Sequence, residues 1–182
     1  MLAVFSSGQG LLHCLRRISA GKTPASPPLD LFDFAELWLE SSNQGRTWFI
    51  KEHRIIERHA GIGRSYDALR RASALSTLLT RNPLPEESRP AIAALLAQSL
   101  RALNDGARPD LVWLKVLFCF ARDEGYAVKQ QWWPQLPAQE GAAATAILNQ
   151  PIAGQSIDPA IVARLVDSLE TWLRTQAEVR LP

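Results

Sequence analysis

Beyond Ser65 the apolar positions recur at helical spacing. Ala68, Ala72, Leu75 and Leu79, with Leu69 and Leu78 beside them, make one stripe that stops at Asn82-Pro83. Ile92, Leu95, Leu96, Leu100 and Leu103 make a second, closed by Asp105-Gly106. A third helix is predicted from about Asp110 to Gly125. Residues 111–121 are apolar nearly all round, broken only by Lys115, so this helix is expected at the centre of a bundle. Residues 141–149 predict a shorter helix. Asp158-Pro159 is an N-cap and N1 pair, and Ile161, Val162, Leu165, Val166, Leu169, Trp172 and Leu173 predict the last long helix.

Before Gly61 and Gly63 the rhythm differs. Turn formers at 6–10, 20–28 and 41–45 cut the chain into short segments, as between strands. Residues 46–54 alternate, with Trp48 and Ile50 on one face and Thr47, Phe49, Lys51 and His53 on the other, which predicts a half-buried strand. Residues 29–40 satisfy two patterns. They can be the first arm of a hairpin, but Leu31, Phe34, Ala35, Trp38 and Leu39 also fit an amphipathic helix. The pattern therefore predicts an α+β chain, with a small β module over residues 1–64 and an all-α helical domain over 65–182.

Charge adds one thing to this picture. The net charge of +2 comes from 20 basic and 18 acidic residues, and the whole surplus lies before Ser65. Within residues 41–71, Arg46, Lys51, Arg54, Arg58, Arg64, Arg70 and Arg71 face only Glu52, Glu57 and Asp67, with His53 and His59 among them. No apolar run approaches the ~20 residues that span a bilayer. The first ten residues lack a signal peptide's basic start and apolar stretch, and there are two cysteines, so a soluble protein of a reducing compartment is expected.

Catalytic chemistry finds little to work with. His13 and Cys14 are neighbours on alternating positions and point to opposite faces, so they form neither a nucleophile–base pair nor a metal site. Cys119 lies in the most apolar helix and reads as a packed thiol. Gly8-Gln9-Gly10 lacks the third glycine and the Lys-Ser or Lys-Thr of a phosphate loop. Glu86-Glu87 suits a helix start, whereas Asp123-Glu124 opposes a helix dipole and reads as solvated. No metal-spaced Cys/His cluster occurs, and neither an enzyme nor a cofactor is expected. What remains is the basic segment with Trp48 and Phe49 inside it, the mixture of rings and cations that single-stranded nucleic acid requires. The competing reading is a core ring beneath a solvated charged face. Trp132-Trp133-Pro134 is a further oddity, either a lid on the bundle or a sticky surface for a partner.

The order of features resembles the RecO family of bacterial recombination mediators. Phe5, the 8–10 glycine turn, residues 11–15 and the basic Arg16, Arg17 and Lys22 are similar to the family's first hairpin and basic stretch. Pro28-Leu29, the leucine-rich 75–85 segment, Trp113-Leu114-Lys115-Val116-Leu117 running into Gly125-Tyr126, and Trp172-Leu173 followed by residues 178–182 continue the likeness over nearly the whole chain. The resemblance implies an N-terminal OB-like barrel before the helical domain and tips residues 29–40 towards strand. It also implies a role in DNA repair and homologous recombination: binding and annealing of single-stranded DNA, contact with the C-terminal tail of single-strand-binding protein, cooperation with RecR, and through it loading of RecA, in a bacterial nucleoid-associated setting. Two departures stand out. The family's upstream strand is missing, so either the barrel is incomplete or residues precede Met1, and the four cysteines of the family's zinc module are absent from 129–140.

The expected DNA-binding set is Arg16, Arg17, Lys22, Arg46, Phe49, Lys51, His53, Arg54, Arg58, Arg70 and Arg71. The expected partner-peptide set is Lys115, Arg122, Lys129 and Trp132, which an adaptor that binds no DNA would also use. A small hydrolase built on His53 or His59 is a third reading.

Overall fold

A computed structural model describes residues 1–16, 27–42 and 47–182. The chain is α+β. Four strands, β1 (Leu2–Ser6), β2 (Gly10–Arg16), β3 (Phe34–Ser42) and β4 (Thr47–Glu57), precede five helices: α1 (Tyr66–Arg81), α2 (Arg89–Asn104), α3 (Pro109–Asp123), α4 (Ala138–Asn149) and α5 (Pro159–Gln176).

The strands form one sheet in the order β1-β2-β4-β3. The β1–β2 hairpin turns at residues 7–9, where the Ser6 hydroxyl accepts the Gly8 and Gln9 amides and Gly10 adopts φ 72°. β2 runs parallel to β4, and β3 pairs antiparallel with β4. Among the described residues β1 and β3 are the two edges, so the sheet does not close into a barrel.

Residues 29–40 resolve into a turn and a strand. Asp30 to Asp33 form the turn, with the Asp33 carboxylate accepting the Asp30 amide at 2.9 Å, and the strand starts at Phe34. Ala35, Leu37 and Leu39 are half-buried on one face, while Phe34, Glu36, Trp38 and Glu40 are exposed on the other. A helix would have mixed these two faces on one stripe; the period of two wins because β4 stands ready to pair.

β4 holds two irregularities that the alternation at 46–54 does not foresee. Its pairing with β3 steps from Leu39↔Ile50 to Trp38↔Glu52, and again from Ala35↔Ile55 to Phe34↔Glu57. Lys51 and Ile56 are the extra residues of two β-bulges. Past Lys51 the faces exchange. His53 is therefore not on the Phe49 face as expected but on that of Ile50, opposite Leu37, while Glu52 and Arg54 take the Phe49 side. Cys14 and Ile50 are the buried floor of the first face.

The helices follow their stripes. α3 is buried all round, from Leu111, Val112, Trp113 and Leu114 to Phe120 and Ala121, with α1, α2, α4 and α5 packed about it. Each long helix start carries its own reason. Ser65 caps α1 by accepting the Ala68 amide, α2 and α3 have proline in the first turn, and Asp158 caps α5 through Ala160 at 2.8 Å. The C-terminal residues Val179 and Leu181 fold back into the core, held by the side chain of Asn82 and by Arg81 on the Leu181 carbonyl. Among the described residues no helix is long and apolar enough to cross a membrane.

Sheet and helices meet at the 3-10 turn Ala60–Arg64. The Gly61 amide donates to Asn104 Oδ1 at 2.9 Å, Arg101 reaches Glu57 at 2.7 Å, and Arg89 donates to the Gly8 carbonyl at 3.2 Å. Buried His59 donates from Nδ1 to the Phe32 carbonyl at 2.7 Å, fixing a turn in which Phe32 adopts φ 65°.

Candidate nucleic-acid interface

Arg17, Lys22 and Arg46 lie outside the described residues. Of the other cations expected to meet phosphate, those around β4 are bonded within the protein. Lys51 pairs with Glu40. Arg54 pairs with Glu36 through Nε at 3.0 Å and Nη2 at 2.6 Å. Arg58 forks onto Asp33 at 3.0 and 2.9 Å and donates to the Pro28 carbonyl at 2.7 Å. Burial alone would raise the Asp33 carboxyl, but the Arg58 hydrogen bond, the Asp30 amide and the charges of Arg58 and His59 together hold it below the usual range. His53 Nε2 donates to the Pro27 carbonyl at 2.8 Å.

All three acidic partners lie upstream of Ser41. A charge count over 41–71 therefore finds a surplus that the folded sheet largely cancels. Phosphate would have to displace a carboxylate at each of these positions. The exposed Lys51–Glu40 and Arg54–Glu36 pairs are individually weak, about 0–1 kcal/mol, so displacement there is feasible but brings little gain, whereas the Asp33 carboxylate under Arg58 is buried.

The remaining expected residues scatter. Arg16 is half-buried in register with Ile50, on the face opposite Phe49. Phe49 is itself half-buried, between Leu15 and Glu40 in the pairing. Arg71 is half-buried with its guanidinium 5.3 Å from the centroid of Trp113, and desolvation, then Arg70, pull its pKa down. Arg70 is exposed, with Asp67 one turn earlier at 3.7 Å.

One arrangement that sequence reasoning missed does combine ring and cation. Tyr66, the first residue of α1, is 79% exposed. Arg64 precedes it by two residues and Arg70 follows it by four, which puts Arg70 on the same side of the helix. Arg64 is exposed and has no carboxylate within 4 Å among the described residues. The signal was the Gly-Arg-Ser-Tyr run at the junction. The apolar stripe of α1 begins at Ala68 and leaves Tyr66 outside it, so periodicity carries no information about this ring.

The partner-peptide set is not assembled as expected. Lys115 donates to the Gln150 carbonyl at 2.6 Å, and burial lowers its pKa. Arg122 is taken by Asp123 at 2.6 Å. Lys129 is exposed. Trp132 is not a contact surface but a plug, 2% exposed, donating from Nε1 to Ser168 Oγ at 3.0 Å and packed edge-on against Trp133. The two adjacent tryptophans are accommodated because the chain makes a π-turn at Val128–Trp132 and a 3-10 turn directly after it. Beside this lid, residues 130–135 and α5 border an open groove of about 810 Å³ lined by amides and hydroxyls such as Gln131, Ser168 and Thr171.

Cys14 is fully buried while His13 is exposed on the other face, and burial raises the Cys14 thiol. Cys119 is half-buried and raised by the same cause. Among the described residues no three His, Cys, Asp or Glu side chains gather as metal ligands would. No family model, no curated protein and no solved structure matches this chain.

Proposed function

We propose that the protein binds single-stranded DNA as a recombination mediator, with its principal contact at the junction of sheet and helices rather than along β4. The observation that carries this reading is the exposed Tyr66 ring at the start of α1, with exposed Arg64 two residues before it and Arg70, near Asp67, one turn after it. The arrangement of a small sheet leading into a helical bundle agrees with the RecO resemblance. That resemblance would make the tail of single-strand-binding protein, RecR and, indirectly, RecA its partners. In this role Arg64 and Arg70 track phosphates, Tyr66 stacks a base, and Lys51, Arg54 and Arg58 hold β3 to β4.

The test is a titration of a labelled oligothymidylate at two salt concentrations. Each phosphate contact on a single strand contributes about −0.7 to the slope of log K against log salt. Tyr66→Ala is expected to weaken binding roughly 5-fold or more, the lower end of a base-stacking contribution. Lys51→Ala with Arg54→Ala is expected to change it far less. A flat salt response, or an unchanged affinity in Tyr66→Ala, would remove the proposal.

A second reading, a protein-interaction adaptor with little DNA binding of its own, is favoured by the pairing of Lys51, Arg54 and Arg58 with Glu40, Glu36 and Asp33. It predicts that a partner peptide binds under conditions where the oligonucleotide does not.

A further inference from the structure

β3 is an edge strand of nine residues with β4 on one side and, among the described residues, no strand on the other. Edge strands offer a row of backbone donors and acceptors to any extended segment whose side chains suit. Its outward face carries Phe34, Glu36, Trp38 and Glu40, and Trp38 is 51% exposed with, among the described residues, no ring or cation stacked on it. Directly across from Trp38 on β4 stands Glu52, exposed and, among the described residues, without a basic partner within 4 Å. Trp38 is thus an open aromatic ring bordered by three carboxylates, of which the bonds to Arg54 and Lys51 occupy two.

A second copy of the chain suits this edge poorly. In a two-fold antiparallel pairing centred on Trp38, Glu36 of one strand meets Glu40 of the other at both ends, and like charges directly opposite are destabilising. A strand with lysine or arginine at alternate positions turns the same geometry to advantage. Its middle cation would lie over the indole ring beside Glu52, the carboxylate that Arg54 and Lys51 leave unbonded among the described residues, while its apolar residues continue the face of Leu37 and Leu39.

We propose that the free edge of β3 is a docking site for a basic extended segment of a partner protein, added as a fifth strand and anchored by a cation on Trp38. This site is separate from Tyr66, so it stands or falls independently of DNA binding. The probe is a synthetic octapeptide alternating Lys and Val, compared with one alternating Glu and Val, by calorimetry and by amide hydrogen exchange of the full chain. The Lys/Val peptide should bind at least 10-fold tighter than the Glu/Val peptide and protect amides of β3. Trp38→Ala should weaken it about 3- to 30-fold, the range of a partly desolvated cation–π contact, whereas Trp38→Phe retains part of the affinity. Because Trp38 is half exposed, both variants should melt close to the parent. Four results would each overturn the proposal: equal binding of the two peptides, indifference to Trp38→Ala, protection of β3 by an oligonucleotide instead, or a concentration-dependent dimer that masks the edge.

Discussion

Gly61 and Gly63 stand two residues apart in the turn that joins sheet to helices, yet their surroundings differ completely. A Cβ built on Gly61 falls 2.3 Å from the backbone oxygen of Asn104 and 2.9 Å from its Oδ1, whereas a Cβ on Gly63 meets nothing within 4 Å. Real carbon–oxygen contacts do not reach 2.3 Å, and the obstacle is helix backbone that cannot rotate away. Gly61→Ala must therefore push the turn off the end of α2. The strain of such overpacking is about 1–3 kcal/mol. The displaced Gly61–Asn104 hydrogen bond adds about 0.5–1.5 kcal/mol. The reduced freedom of the unfolded chain returns up to ~1 kcal/mol. The balance is a loss of about 0.5–4.5 kcal/mol, and at this chain length each kcal/mol moves the melting point by about 2–4 °C. Gly63→Ala, with the entropic gain and no clash, should melt at or slightly above the parent. Thermal and urea unfolding of the two variants read the difference. If Gly61→Ala melts within 2 °C of Gly63→Ala, the close seating of the turn against α2 is refuted.

Asp158→Ala removes the α5 cap and should cost about 1 kcal/mol in urea unfolding, with Asp158→Asn largely restoring it. Leu117→Ala, fully buried in α3, should cost about 2–5 kcal/mol in the same assay. Asp33 is held below its usual range in the folded chain, so its contribution is complete above the unfolded value near pH 4 and fades as pH falls through the folded value. The stability gap between the parent and Asp33→Asn should accordingly be widest at neutral pH and shrink in acid. Glu124 behaves oppositely, because desolvation, then Asp123 and Glu87, outweigh a hydrogen bond from Ser88 and raise its pKa, while Oε1 is buried with no hydrogen-bond partner among the described residues. Glu124→Gln should therefore raise the melting point at neutral pH, and the advantage should disappear at pH values below the unfolded carboxyl range.

The helical half was legible because each helix announces itself locally. The stripes of α1, α2, α3 and α5 lie within the observed helices, and their ends coincide with Asn82-Pro83, Asp105-Gly106 and Asp158-Pro159 to within a residue or two. The sheet was legible only as far as period two extends. The bulge at Lys51 is a property of two strands together, so nothing in 46–54 alone warned that His53 would change faces. The pairing of cations was hidden for the same reason. Glu36 and Glu40 come beside Arg54 and Lys51 only after β3 and β4 align, and Asp33 reaches Arg58 only once the turn before β3 has formed. For Trp132-Trp133 the sequence left a lid and a sticky surface both open, and the π-turn that buries Trp132 realises the lid.

The bulge at Lys51 also changes what length means for this strand. Between Ile50 and Ile55, Lys51 is the one residue out of phase with β3, so deleting it would leave Ile50, Glu52, His53, Arg54 and Ile55 in plain alternation opposite Leu39, Trp38, Leu37, Glu36 and Ala35, with every face kept and only the bulge lost. A substitution at the same position leaves that phase intact. At this one position the strand tolerates both a change of side chain and the loss of the residue, whereas, with Lys51 kept as the bulge, the loss of any single residue from Glu52 to Arg54 would break the match of Ile50 and Ile55 to Leu39 and Ala35.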